Sequence, residues 1–344
     1  KVLKVLRGLL LKKSPKQGSG QSPEVFPIHR KDRIPMTQEQ YLKNLMPPSH
    51  RADVILDTDA YNEVDDQFAI AYLLRSEKLN PVGICAAPFL NEKSSSAEDG
   101  MQKSHAEILK LLKLMNREEV VPRVYRGSDR FMRDETDAVD SPAARFIAAS
   151  AAQYSAEHPL YVVAIGAITN VAAAVLLAPE AMRENTVIVW LGGHALDWAG
   201  QNREFNLRQD IAAARVVFDC GAPMVLLPCN GVVSSFRTTA PELDFWLKGK
   251  NPIATYLAEN AEREANGYAA GKPWSRCIWD VTAVAWLLND GERFLNTCQV
   301  PAPIPEYDHR WARDPFRRPI AYVYNVRRDA LFEDLFQSLT NTKE

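Results

Sequence analysis

From residue 52 onward, short apolar runs alternate with stretches of helical spacing, and that alternation leaves few folds open. Val54-Ile55-Leu56 and residues 81–86, 160–166, 186–193, 224–228 and 320–326 are too short for a helix. They are continuously apolar rather than alternating, as strands buried on both faces are. Arg123-Val124-Tyr125 adds a further short strand. Between them, residues 67–74, 97–114, 170–178, 211–219 and 280–288 carry apolar positions at helical spacing. Strands alternating with helices predict an α/β fold, with a mainly parallel central sheet and helices on both faces. In such sheets ligands bind in the crevice outside the carboxyl ends of the strands. The rule gathers Asp57, Asp59, Asp65, Asp66, Asn91, Thr169, Asn170, Gly192, Gly193, His194, Glu204, Asn206 and Asp280 at one edge.

The flanking segments read differently. Residues 1–50 predict an N-terminal extension, and residues 51–344 a single domain. The extension is basic over residues 1–16 and rich in Gly, Ser and Pro over 17–27, which reads as linker. Thr37 then suits the N-cap of a short helix, with Gln40 completing a capping box. Residues 301–319, proline-rich and polar, predict an irregular insertion.

Composition narrows the partners. A net charge of −2 gives no case for nucleic acid or a membrane surface. No apolar run approaches the roughly 18 residues that span a bilayer. The five cysteines are widely spaced and form no CxxC pair. That argues against a disulfide framework or a zinc site and suits a reducing cytoplasm.

The chemistry concentrates after the first strand, where Asp57, Asp59, Asp65 and Asp66 fall within ten residues. Carboxylates packed so closely repel one another and raise each other's pKa values. A hard cation with oxygen ligands, Ca²⁺ or Mg²⁺, removes the conflict. The alternative is a solvated acidic turn, with Asp65 and Asp66 at a helix N-terminus favoured by the macrodipole. Taken alone, Thr169 and Asn170 suit helix capping, Asp280 an N-cap, and Glu204 and Asn206 a polar loop. His105 and His158 read as surface residues, and His194 as a strand-end candidate for contact with ligand.

Four motifs in order resemble the inosine–uridine-preferring nucleoside hydrolases. The run from Asp57 to Ala69 is similar to that family's Asp-x-Asp-Pro-Gly-x-Asp-Asp-Ala, with two extra residues and no Pro-Gly. Gly166-Ala167-Ile168-Thr169-Asn170-Val171-Ala172 resembles its Gly-x-Leu-Thr-Asn-x-Ala turn. Leu191-Gly192-Gly193, followed by Arg203-Glu204-Phe205-Asn206, resembles its Gly-Gly…Glu-Phe-Asn segment, and Asp280 its last metal aspartate. The resemblance covers residues 53–339 and implies the nucleoside hydrolase fold, with its Rossmann-like core.

It further implies Ca²⁺-dependent hydrolysis of a ribonucleoside to ribose and free base. Asp59 would be both metal ligand and general base, and Asp66, Asp280 and the Thr169 carbonyl would complete the protein ligands. Asp65 would accept a hydrogen bond from a ribose hydroxyl, while Asn91, Glu204 and Asn206 held the others. Asp57 would support the site from behind. Trp279 stands where many members have a histidine, and purine-preferring members have a tryptophan, which implies stacking on a purine. The substrate would be a small-molecule nucleoside, and the assembly a homo-oligomer, dimer or tetramer. Two other readings stay open. Leu56-Asp57-Thr58-Asp59 also suits a haloacid-dehalogenase-like phosphatase, and the longer aspartate loop suits a nucleoside-binding protein without turnover.

Overall fold

Seven parallel strands and one antiparallel edge strand build the centre of the molecule. The computed structural model describes residues 35–341, so the basic stretch and linker expected over residues 1–27 lie outside the described residues. From Met36 onward the chain forms one compact unit. Helix α1 (Gln38–Asn44) is followed by β1 (Ala52–Thr58), α2 (Asp65–Arg75), β2 (Leu79–Ala86), α3 (Ala97–Leu114), β3 (Val124–Arg126) and α4 (Pro142–Ala151). Then come β4 (Leu160–Ala164), α5 (Thr169–Leu177), α6 (Pro179–Asn185), β5 (Thr186–Leu191), α7 (Phe205–Gln209), α8 (Ile211–Asp219) and β6 (Met224–Leu227). The last third holds β7 (Arg237–Thr238), α9 (Ala240–Trp246), α10 (Pro252–Ala269), β8 (Arg276–Cys277) and α11 (Val281–Trp286). It closes with β9 (Leu295–Pro301), β10 (Ile304–Pro305), β11 (Trp311–Ala312), β12 (Pro319–Val326) and α12 (Arg328–Thr340).

The main sheet runs β3-β2-β1-β4-β5-β6-β12-β9, and only β9 is antiparallel to its neighbour. Strand order reverses between β1 and β4, which pair in parallel from Val54↔Tyr161 to Asp57↔Ala164. A crevice therefore opens beyond their carboxyl ends. The pleat sorts the core. Val54, Leu56, Tyr161, Val163, Val187 and Val189 face one apolar layer, while Ile55, Leu160, Val162, Ile188 and Trp190 face the other.

Every strand and helix expected from the apolar runs is present. The helices α4, α6, α7, α9, α10 and α12 and the edge strand β9 were not expected; most of their sequences are short, polar on one face or alanine-rich, so periodicity alone is weak there. Two expectations change. Thr37 caps α1 as read, accepting from the Gln40 N–H at 3.1 Å, but the Gln40 side chain reaches Asn44 and the Ala156 carbonyl instead of closing a box. Residues 301–319 are not wholly irregular, because β10 and β11 form a two-stranded ladder. Helix α1 packs on the body, with the Tyr41 hydroxyl donating to the Pro319 carbonyl at 2.9 Å. No described helix is long and apolar enough to cross a membrane.

Candidate active site

Strand β1 delivers the first carboxylates. Asp57 lies within it and Asp59 just beyond its end, and both are buried. The chain then turns back on itself, with the Asn62 N–H donating to the Asp59 carbonyl at 2.7 Å. Helix α2 opens at Asp65, so Asp65 and Asp66 occupy its first turn, where the macrodipole favours anions. The two extra residues are absorbed in this turn. The turn of β4 into α5 approaches closely: a Cβ on Gly166 would lie 3.0 Å from the Asp59 carboxyl carbon. A larger residue there would have to push the Asp59 carboxyl aside by a few tenths of an ångström.

Asp280 enters from the residue before α11. It does not cap that helix with its side chain, contrary to the simplest reading of an aspartate at that position. Instead it shares a hydrogen bond with the Asp66 carboxyl, whose other partner is the Thr58 hydroxyl at 2.5 Å. One oxygen from each of Asp65, Asp66 and Asp280 lies within 4.8 Å of the others. Both oxygens of Asp59, one of Asp65 and one of Asp57 are buried without a hydrogen-bond partner.

The electrostatics follow from this crowding. Burial, then the charges of Asp66 and Asp65, hold the Asp59 carboxyl well above the usual carboxylate range. Burial and Glu63 push Asp65 up to about 8, and burial raises Asp66 to about 6 against the hydrogen bonds of Thr58 and Asp280. Asp280 is likewise held well above its ordinary value, by burial and then by Asp65, Asp66 and Asp59. Buried anionic oxygens without partners are costly unless a charge or donor reaches them. These hard oxygen donors fit a hard divalent cation. The acidic cluster can hold a metal.

A second wall forms from the β5–α7 connection. Glu204 caps α7, and its carboxylate accepts N–H groups from Asn206 and Leu207 at 2.9 Å and from Gly193 at 2.8 Å. The Asn206 amide donates to the Leu191 carbonyl at 2.9 Å and the Ile165 carbonyl at 3.1 Å, joining the ends of β5 and β4. This stretch is therefore not a free polar loop. Thr169 and Asn170 do not cap α5 either, since its N-cap makes no side-chain bond. The Thr169 hydroxyl donates to Asp210 at 2.7 Å, and Asn170 donates to Asp57 at 2.7 Å and accepts from Ser128.

One cavity of about 280 Å³ brings together Asp59, Asp65, Asp66, Glu204, Asn206, Trp279 and Asp280. His194 also lines it, buried, with its ring 5.1 Å from that of Trp198. His158 is exposed, as read from sequence, and His105 is half-buried. Asn91 and Thr169 do not line the cavity. Asn91 stands behind it, donating to Asn62 at 2.6 Å, and it is Asn62 that reaches the wall. Sequence reasoning missed Asn62, Glu63, Arg203, Cys229 and Asn230. The last two follow β6 directly, so the strand-end rule that gathered the others would have found them.

A polar, carboxylate-walled cavity at the switch point of a parallel sheet defines an enzyme for a small polar molecule. Comparison with known proteins makes the class specific: residues 54–310 match the inosine-uridine preferring nucleoside hydrolases, and the chain belongs to that family. It is thereby a hydrolase acting on N-glycosyl bonds. A probable uridine nucleosidase 2 of Arabidopsis thaliana is 27% identical over 61% of this chain and 68% of its own length. The pyrimidine-specific ribonucleoside hydrolase RihA of Enterobacter sp. (strain 638) is 26% identical over 68% of this chain and 78% of its own. In three dimensions, the purine-preferring ribonucleoside hydrolase from Gardnerella vaginalis matches 84% of this chain and 98% of its own, with a TM-score of 0.64 and 21% identity.

Proposed function

We propose that this chain hydrolyses the N-glycosidic bond of ribonucleosides, purine ones preferred, to ribose and free base with Ca²⁺ as cofactor. The observation that carries the reading is the meeting of unpartnered carboxylate oxygens on Asp59 and Asp65 with Trp279 in one cavity. By the family resemblance Asp59, Asp66 and Asp280, with the Thr169 carbonyl, would hold the ion; of these, Asp66 and Asp280 lie together beside Asp65, while Thr169 stands off the cavity wall. When bound, Ca²⁺ supplies a water of lowered pKa and an anchor for vicinal hydroxyls. Asp59 takes the proton from the attacking water; both of its oxygens are free of protein partners, and the cation's charge would keep the carboxylate ionised for that role. The ribosyl centre becomes oxocarbenium-like, and the surrounding carboxylates stabilise the positive charge. Asp65 accepts a hydrogen bond from a ribose hydroxyl. Asn206 and Glu204 shape the sugar's side of the pocket, Glu204 through the backbone N–H groups that its carboxylate fixes, and Asn91 acts through Asn62.

Trp279 is half-buried and offers its face to the base, which supports the purine preference. The relatives named for uridine and pyrimidines make that preference the part most in need of test. A phosphatase reading has less support, because no lysine lines the cavity. All five cysteines are free, consistent with work in a reducing cytoplasm; a homo-oligomer remains our expected assembly. The decisive experiment is a panel of nucleosides assayed for ribose release with and without chelator. Release from inosine, lost with chelator and in Asp59→Asn, is the expected result. No release from any member would overturn the proposal, and tight binding without release would favour a nucleoside-binding protein.

A further inference from the structure

The loop that separates this chain from its family's pattern contains Glu63, and Glu63 does not hang in solvent. It lines the cavity beside Asp65, and it also borders a second depression between α3 and α10. Its carboxylate accepts a hydrogen bond from the Arg276 guanidinium at 2.6 Å. Arg276 is 213 residues away in sequence, on β8, four residues before Asp280. Its side chain is 14% exposed, against 44% for Glu63, and its Nε is buried without a partner.

Position gives this pair a task. The acidic cluster is assembled from two segments, the turn carrying Asp59 to Asp66 and the segment carrying Asp280, and like charges drive these apart. Arg276 to Glu63 is an ion pair that crosses directly between them. The guanidinium also faces Asp65, where its charge opposes the effects of burial and of Glu63. Its rigid fork can hold a loop in one geometry, which a lysine, as a flexible point charge, does less well. Glu63 lies in the part of the loop that is longer than the Pro-Gly turn described above, and Arg276 fastens that part to the segment carrying Asp280.

We infer that the Glu63–Arg276 ion pair positions Asp65 and thereby sets this enzyme's discrimination between ribonucleosides and their deoxy analogues. The inference rests on the proposed function, in which Asp65 accepts a ribose hydroxyl. Arg276 is a positioning residue, since it does not line the cavity. A buried group that binds a hydroxyl rejects the analogue lacking it by large factors, up to about 10⁴-fold, provided the group is held in place. Loosening Asp65 lowers that factor first and turnover second.

The test compares inosine, 2′-deoxyinosine and 3′-deoxyinosine on the wild type, Arg276→Gln, Glu63→Gln, the double variant and Arg276→Lys, all with Ca²⁺. We expect Arg276→Gln to raise KM for inosine about tenfold with kcat within about threefold, the mark of a lost binding contact. The preference for inosine over the more strongly rejected deoxy analogue should fall at least as far. Because the pair acts as a unit, the double variant should be no worse than Arg276→Gln, and Arg276→Lys should restore part of the preference. Undiminished discrimination in Arg276→Gln would overturn the inference whatever its kcat, as would strictly additive losses in the double variant. If Arg276→Gln does not fold, Glu63→Gln decides by the same ratio. If the wild type releases no ribose, the proposed function fails instead. The same ratio read by calorimetric binding of the three nucleosides then decides this inference, and equal ratios in wild type and variants overturn it.

Discussion

Asp59 and Glu204 are both carboxylates, both fully buried, and both on the wall of the same cavity, yet they are treated in opposite ways. Glu204 is saturated by three backbone N–H groups and the Cys229 thiol. Asp59 has no partner for either oxygen, and its nearest neighbours are other acids. Burying an ionised group without compensation is among the most costly arrangements a fold can contain. A carboxylate wired to donors holds the structure together, whereas one left bare among other acids is held ready for something that is not protein. Burial alone does not identify a functional acid; the list of its partners does.

The sharpest way to break the contrast is to neutralise the bare member. Asp59→Asn should reduce kcat by roughly 10²–10⁴-fold, the usual worth of a general base. In chelator, at a pH high enough to ionise Asp59, the same variant should melt at a higher temperature than wild type, because a repelled buried charge has gone. A calorimetric scan showing a lower melting temperature in chelator would place Asp59 with Glu204 instead.

Neutralising the wired member should do the reverse. Glu204→Gln keeps one acceptor oxygen and replaces the other with an NH2 donor, so either the Asn206 N–H or those of Gly193 and Leu207 lose their partner, at a cost of about 1–3 kcal/mol. Denaturant unfolding should show this loss equally with and without Ca²⁺.

A third comparison uses pH. Asp66, Asp57 and Asp65 have pKa values raised to about 6, 7 and 8, above the unfolded value of about 4. A raised pKa favours the fold below the unfolded pKa, and that contribution is lost as pH rises through the folded value. The metal-free protein should therefore lose stability between about pH 4 and pH 8, and saturating Ca²⁺ should flatten the profile. Parallel melting curves in chelator and in Ca²⁺ across that range would contradict the role of these acids as a cation site.

The smallest expected effect concerns the base. Trp279→Ala should lower kcat/KM for inosine about tenfold more than for uridine, in line with the roughly 0.5–1.5 kcal/mol of an aromatic contact beyond its area. An equal loss on both substrates would remove the stacking argument.

Much of this was legible in the chain itself. The apolar runs gave strands β1, β4, β5, β6 and β12 and the parallel sheet, because a strand buried on both faces has to be apolar throughout. The strand-end rule then gathered Asp59, Asp65, Asp66, Glu204, Asn206 and Asp280, and all six line the cavity. Weak periodicity hid α4, α6 and the antiparallel edge strand β9. Partner choice was hidden more deeply. Thr169 has the residue type of a helix cap, but its hydroxyl bonds Asp210, 41 residues away. Asn91 has the type of a sugar ligand, but its amide is spent on Asn62.

What the sequence by itself determined is which residue types arrive at the carboxyl edge of the sheet, since that depends on order and periodicity. Only the tertiary structure decided which of those acids are satisfied and which are bare. Glu204 meets the N–H of Gly193 across a loop, and Glu63 meets Arg276 across 213 residues, contacts that no local spacing encodes. A hydrogen bond depends on distances of a few tenths of an ångström between segments, and those are fixed by how the whole core packs.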